Sequence, residues 1–544
     1  MGDPVAELRS AVEAAAGSLR DGAEAGRSAP SLERPPKPEF GDYSTNAAML
    51  LAPVLGEQPR GTAEKLADEL GRSLEGTVEK VEVAGPGFLN LFLSADWYRR
   101  AATELAAAGE DLGRPAVSEG TKERVNIEFV SANPTGPITA AGGRGAALGD
   151  SVARILEFSG HPVTREYYVN DRGGQIGRFA ASIAARMKGE PVPEDGYEGD
   201  YVIETARSLE EEGISPDDLD AVGRRGIALM LAAAEETLRR YDVVFDTWSS
   251  ERALHESGAV ERALKEAQDA GHVYESEGAT WLRTTTFGDD KDRVLIRSDG
   301  DPTYLLSDMA YHRDKLDRGS DRLIDVVGAD HHGYVERLRA ALAVLGYDPE
   351  ALEVSIMQLV HVIEGGERAQ MSKRSGDFVT LDELIDDIGT DAARFFMLQR
   401  SHDTTVDLDL ELARKTSNEN PVYYVQYAHA RIASILRKAG EGAEERAAAN
   451  LGALPAEPSE RALIKRLCEL PDEVAEAAAR RAPHRLCAYA MEVARDFHAF
   501  YRDCQVVGAE GEGVEEARLG LCLLTKQTIA RTLGLLGISA PERM

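Results

Sequence analysis

The chain has 544 residues and a formal net charge of −32, with 43% hydrophobic and 29% charged residues. That length exceeds what one hydrophobic core organises, so roughly two to four domains are expected. No apolar run reaches the roughly 18 residues of a membrane helix, and overall acidity opposes nucleic-acid phosphates unless basic groups are concentrated locally.

The opening segment MGDPVAELRSAVEAAAG lacks the basic and apolar regions of a signal peptide. Ala6 breaks the myristoylation pattern that Met1–Gly2 begins. A cytoplasmic location is the expectation. Residues 1–27 read as a helix, and the Pro-rich stretch 28–43 as loop. Helical stretches TNAAMLLAPVL and GTAEKLADELGRSL follow, then two β-like runs around Gly85-Pro86-Gly87. Residues 1–115 are expected to form a compact α+β module.

From Glu123 the pattern changes. Val125, Ile127 and Phe129 alternate as in a strand. SANPTGPITAAGGRG is a Gly/Pro-rich turn, AALGDSVARILEFSG a helix with Leu148, Val152, Ile155 and Leu156 on one face, and HPVTREYYVND a returning strand. That order is a βαβ unit of parallel-sheet type. Residues 186–201 read as an exposed insertion. Further strands are expected at RVLIRS, RLIDVVGA and EVSIMQLVHVI, so residues 116–407 form a Rossmann-like α/β domain with insertions. Beyond residue 408 the strand signal stops, and 408–544 reads as an all-α bundle. Asn420 and Pro421 fit N-cap and first helical residue. EGAEERAAANLGALPAEPSE reads as a connector. Cys468, Cys487, Cys504 and Cys522 have no C-x-x-C spacing and are expected to be buried free thiols.

Two segments carry chemistry. Gly142, Gly143 and Gly145 open a helix whose free N–H groups suit phosphate. The dinucleotide fingerprint fails, because Leu148 stands at its last glycine, although Glu166 lies at the distance of a ribose-binding acid. Close helix–sheet packing is the bland alternative. The second segment is MSKR at 371–374. A loop carrying Lys373 and Arg374 suits the transient charge on a departing pyrophosphate. His331 and His332 suggest a metal pair, but neighbours on a strand point to opposite faces, and no protein-bound metal is expected.

Taken together, these segments resemble one family. VNIEFVSANPTGP followed by GGRGAALGD is similar to the first signature region of the arginyl-tRNA synthetases, and MSKRSGDFVTL to their second class I signature. WLRTTTFGDDKDRVLIRSDGDPTYLLSDMAYHRDKL and DVVGADHHGYVERL resemble the same catalytic domain. GDYSTNAAM and GPGFLNLFL resemble its N-terminal tRNA-contacting module, and NPVYYVQYAHARI and LLGISAPERM its helical anticodon-binding domain. The resemblance implies ATP, with Mg²⁺, activating L-arginine for tRNA(Arg), first-step activity that needs tRNA, and a monomer. It places Glu128, Tyr304 and Asp308 at the substrate's side chain and amino group, Asn133 at its carboxylate end, and Asp330 or His331 at a further polar contact. A guanidinium suits carboxylates in a planar fork. Lys373 is expected to stabilise pyrophosphate, and Met371 and Ser372 to line the adenine end. Tyr423, Tyr427 and Arg431 share a helix face suited to stacking on unpaired bases, with Met544 beside the anticodon loop.

One departure stands out. The family's usual His-Val-Gly-His is here Thr139-Ala140-Ala141-Gly142. Both imidazoles that meet ATP phosphates are absent, each worth on the order of 3 kcal/mol in the transition state. Thr139, the Gly142 and Gly143 amides and Arg144 are the expected substitutes. Gln370 also stands where the wider class carries Lys. The expected function is a working arginine–tRNA ligase with a rewired ATP site. The alternative is an impaired relative that binds tRNA without efficient activation.

Overall fold

The computed structural model describes residues 3–20, 30–116, 119–368, 379–448 and 450–544, with backbone alone at 38, 119, 330–332 and 448. The N-terminal part is α+β. Its first helix, Pro4–Leu19, starts where the Asp3 carboxylate accepts the amides of Val5 and Ala6, as an N-cap should. Tyr43–Thr45, Phe88–Leu93 and Val78–Ala84 form an antiparallel sheet in that order. Helices Ala47–Leu55, Pro59–Ser73 and Ala95–Ala107 cover it, burying Leu66, Leu70, Leu91 and Trp97.

The catalytic part is built on a five-stranded parallel sheet. Its strand order is Leu352–Met357, Arg322–Gly328, Val125–Glu128, Val163–Val169, Thr247–Ser250. The strand that comes first in the chain lies in the middle. The next two add on one side and the last two on the other, so the winding reverses beside Val125–Glu128. A crevice opens at such a switch point, outside the carboxyl ends of the strands. The signature helix Ala140–Phe158 lies directly on the central strand. A Cβ at Gly149 would fall 2.1 Å from the Phe129 ring, and one at Gly143 2.7 Å from Leu381 Cδ1. These glycines permit close approach, as the packing alternative holds.

Two expected strands behave differently. Arg293–Ile296 does not join the central sheet. It pairs antiparallel with Ala279–Leu282, which forms a hairpin with Val273–Ser276 through Glu277 and Gly278, both at positive φ; that geometry matches strand twist. EVSIMQLVHVI breaks into Leu352–Met357 and Val360–Glu364, and the second piece pairs with Val406–Asp409 in a small separate sheet. Residues 186–201 connect helices Gly174–Lys188 and Asp200–Glu211, which with Leu219–Arg240 enclose Phe179, Ile183, Val202 and Leu209.

The C-terminal part is a helical bundle. Asn420 caps Pro421–Lys438, its side chain accepting the Val422 amide. The expected connector contains a helix, Ala443–Ala448. Its Ala447 is buried against Val514–Leu535, where Gly520 leaves room for the Ala447 carbonyl. An Ala/Glu-rich stretch reads alike as linker or short helix, and packing decides. The four cysteines are buried and free.

Candidate active site

The central strand delivers Glu128 to the switch point, and the chain then turns under strain. Val130 and Ser131 have φ of 67° and 37°, which a β-branched residue rarely adopts. The turn brings the Ser131 hydroxyl back to donate to Glu128 Oε1 at 2.9 Å while accepting the Tyr168 amide at 3.0 Å.

Glu128 is the middle of a row. Asp325 and Glu166 are its register partners on the two flanking strands, and in-register neighbours project to one face of a sheet. Helix Tyr304–Asp317 and its C-cap Arg318 lay three bases over this row. His312 meets Asp325 at 2.7 Å. Lys315 Nζ lies 2.5 Å from Glu128 Oε2 and 3.1 Å from Asp325 Oδ1. Arg318 donates to both Glu166 oxygens at 2.8 Å. The bases recur every third residue, so they share one helix face.

Burial opposes charge in these bases and in Glu166, and their partners answer it. The His312 ring faces two acceptors, the Asp308 carbonyl at 2.8 Å and Asp325, so both nitrogens must donate. Burial opposes that charge, but Asp325 outweighs it and the imidazole pKa is raised. Burial likewise opposes the Lys315 ammonium, and Asp325, Glu128 and Glu166 hold it above its usual value. Burial pushes Glu166 up, but Lys315 together with Ser249, Arg318 and Asn126 holds it below the carboxylate range. Fully buried and saturated with internal donors, Glu166 has no oxygen for a ribose. That removes the structural basis for a dinucleotide reading.

Two acids stand outside this balance. Asp308 lies one helical turn before His312 and accepts the Tyr334 hydroxyl; burial pushes its carboxyl up, partly offset by His312. Glu251, the first residue of helix Glu251–Glu256, is 7% exposed with no hydrogen-bond partner among the described residues. Burial, then Asp308, pushes it up to about 7. The two helices meet where His255 Nε2 lies 3.0 Å from Ser307 Oγ. Tyr168 and Tyr311 pack ring to ring at 4.5 Å behind them. Tyr304 shares the helix with Asp308 as expected, one turn before it at the helix start, and is 70% exposed. Asn133 is exposed and accepts from Gln175 at 3.2 Å. His331 lies in the short 3-10 helix Ala329–Tyr334, not on a strand, so the strand argument against a metal pair does not apply there.

At the phosphate end the expectations need correction. Thr139 is the N-cap of the signature helix, and its hydroxyl oxygen accepts the Gly142 amide at 3.2 Å. The Gly143 amide bonds the Thr139 carbonyl, and the Ala140 amide the Val379 carbonyl. Gly142 and Gly143 therefore hold no free amide, and Ala141 is the one amide of that turn without a partner among the described residues. Arg144 is likewise committed internally. The residue is 1% exposed, and its guanidinium donates to the carbonyls of Gln358, Ser401 and Thr404 at 2.8–2.9 Å; burial lowers its pKa to about 10. Met371, Ser372 and Lys373 lie outside the described residues.

On the bundle, Tyr423 and Tyr427 stack at 6.1 Å and 8°. Arg431 lies over Tyr427 at 5.8 Å and Tyr501 at 4.7 Å. His498 packs beside Tyr427, and burial with Arg431 pushes its pKa down to about 4. The half-exposed Met544 ends a tail pinned by the Pro541 carbonyl accepting from His429 at 2.9 Å and by Glu542 on Lys526 at 2.6 Å.

Sequence reasoning missed Glu251, Lys315, His312, Asp325 and Ser131. The one available signal was the 312, 315, 318 spacing on a helix; the acids it answers lie on three separate strands.

Comparison with known proteins agrees with this geometry. Residues 6–93 match the arginyl tRNA synthetase N-terminal domain, residues 107–196 and 222–434 the class I (R) tRNA synthetase catalytic domain, and residues 425–544 the DALR anticodon binding domain. An arginine–tRNA ligase of Desulforudis audaxviator is 48% identical, covering 99% of this chain and 97% of its own. One of Bacillus subtilis is 44% identical over 94% of each. The solved Thermus thermophilus arginyl-tRNA synthetase superposes with a TM-score of 0.78 at 27% identity over 99% of both chains. The matches cover the N-terminal part, the catalytic part and the helical bundle together in relatives of one specificity, and the chain belongs to the arginine–tRNA ligases, class I aminoacyl-tRNA synthetases.

Proposed function

We propose that arginine is activated in the acidic pocket over the switch point and passed to tRNA(Arg), by a cytoplasmic monomer whose residues 1–115 and 408–544 hold the tRNA around a catalytic domain at 116–407. The observation that carries this reading is the charge balance. Three acids in the row meet three bases, and Asp308 and Glu251 are left to face an incoming cation. A guanidinium answers them with a fixed planar fork. Glu128, Asn133, Tyr304, Asp308 and His331 are the arginine contacts in this reading.

The arginine carboxylate attacks the α-phosphorus of ATP, which brings Mg²⁺ as part of the substrate, giving arginyl-adenylate and pyrophosphate. The terminal adenosine hydroxyl of the tRNA then takes the arginyl group and releases AMP. Catalysis is positioning and electrostatics. With its oxygen committed to capping, Thr139 retains a hydroxyl proton for a phosphate oxygen, and the Ala141 amide joins it. Met371 and Ser372 border the nucleotide, and Lys373 meets the departing pyrophosphate. Tyr423, Tyr427, Arg431 and Met544 meet the anticodon loop. Pyrophosphate exchange, with and without tRNA(Arg), tests the whole reading. Arginine-dependent exchange that requires the tRNA supports it.

A second reading has one observation in its favour. Neither imidazole is present, and Arg144 and both amides looked to as substitutes, Gly142 and Gly143, are spent internally. Tight tRNA binding without exchange would select that reading, an impaired relative.

A further inference from the structure

We propose that Lys315 is a positioning residue for arginine recognition, acting through Glu128. This rests on the reading of Glu128 as an arginine contact.

A lysine at 0% exposure is a costly way to fill space. A methionine would occupy similar volume without desolvating a charge, and buried ion pairs are weak devices for stability. What the ammonium does locally is specific. Its Nζ contacts are Glu128 Oε2, Asp325 Oδ1 and the Tyr311 ring face, the last at 4.3 Å. Those partners use its three protons, so none is left for substrate or proton transfer. Lys315 can influence arginine only through what it holds.

What it holds is one oxygen of Glu128. Ser131 holds the other, from a different element. Two donors on two oxygens fix the plane of the carboxylate, while its remaining lone pairs stay available at the 15% of the side chain that is exposed. A guanidinium fork needs such a fixed plane. Lys315 also separates Glu128 from Asp325, its register partner on the next strand. Without the ammonium, two like charges would face each other and Glu128 would turn from its present position. His312 supports the arrangement from behind by holding the second Asp325 oxygen.

A double-mutant cycle of K315M and E128Q, read by tRNA-dependent pyrophosphate exchange, tests this. K315M is expected to raise the arginine KM about tenfold while kcat and the ATP KM stay within about threefold, as for a lost charge-assisted contact to the amino acid alone. In the E128Q background the same change is expected to add less than about twofold, because coupled residues are not additive. K315R, which keeps the charge, is expected to recover most of the arginine affinity. Should K315M not fold, K315Q serves in the same cycle. An equal K315M penalty in both backgrounds, or an arginine KM within about twofold of wild type, overturns the proposal. If E128Q alone leaves the arginine KM unchanged, the assignment of Glu128 to arginine fails and the positioning role falls with it. A large E128Q effect beside a silent K315M removes the positioning role alone.

Discussion

Glu251 is the carboxyl whose ionisation the pocket controls near neutrality. Burial and the nearby Asp308 push it up to about 7, against the pull of Arg172. It is neutral below that pH and ionised above it, and a cationic ligand favours the ionised form. Arginine kcat/KM should therefore rise with pH through about 7, with a proton released on binding. E251Q should flatten that limb; an unchanged profile would remove Glu251 from the pocket's chemistry. D308N should raise the arginine KM by about 10- to 100-fold, the worth of one charge-assisted hydrogen bond. Glu128 and Asp308 were candidates from the segments around them alone. Glu251 was not, because nothing local marks an acid after a strand as pocket-facing. Its role comes from the neighbouring helix that carries Asp308, brought near by the fold.

Among elements, the signature helix shows how one segment serves packing and chemistry together. Its glycines were read first as a phosphate cradle. The structure assigns Gly143 and Gly149 to close approach, and the first-turn amides mostly to the cap. Arg144 was read as a phosphate contact because only its sequence neighbourhood was visible; the carbonyls it binds come from residues 358, 401 and 404. Replacing Arg144 by Met should lower stability by about 3 kcal/mol, since three buried carbonyls lose their donor, and leave the ATP KM of the folded fraction within threefold of wild type. A thermal melt with exchange kinetics separates the two; a large rise in ATP KM at unchanged stability would restore Arg144 to the phosphate site. Restoring the family's tetrad by T139H, A141G and G142H should bring no gain in exchange, because the site relies on the Thr139 cap and a Cβ at Gly142 would lie 3.1 Å from Ile138 Cγ2. A large gain would identify a crippled site.

For the whole molecule, the parts are joined by polar ties, buried or part-buried, as well as by apolar packing. Lys465 reaches Asp42 at 2.7 Å and Arg34 reaches Glu469 at 3.2 Å, docking the N-terminal part on the bundle. The fully buried Arg394 binds the Leu536 and Tyr241 carbonyls and Asp150, joining the bundle to helices of the catalytic part. R394M should cost about 2–4 kcal/mol in a urea melt, because the buried Leu536 and Tyr241 carbonyls lose their donor, while Asp150 keeps Arg154 at 2.7 Å and Arg165 at 3.4 Å. The broad architecture, α+β then parallel α/β then helices, was legible from hydrophobic period and turn residues. Which strands joined the central sheet was not, since Arg293–Ile296 and Val125–Glu128 are both four-residue strands and only pairing partners separate them. Among the described residues, no helix is long and apolar enough to cross a membrane.

The central claim is that the pocket selects a guanidinium by its charge, and the most direct measurement compares arginine with citrulline, its neutral isostere, in tRNA-dependent pyrophosphate exchange. Arginine should be favoured by at least about a thousandfold in kcat/KM, because a neutral ureido group leaves buried carboxylates without a cation. Citrulline turning over within about tenfold of arginine would contradict the account.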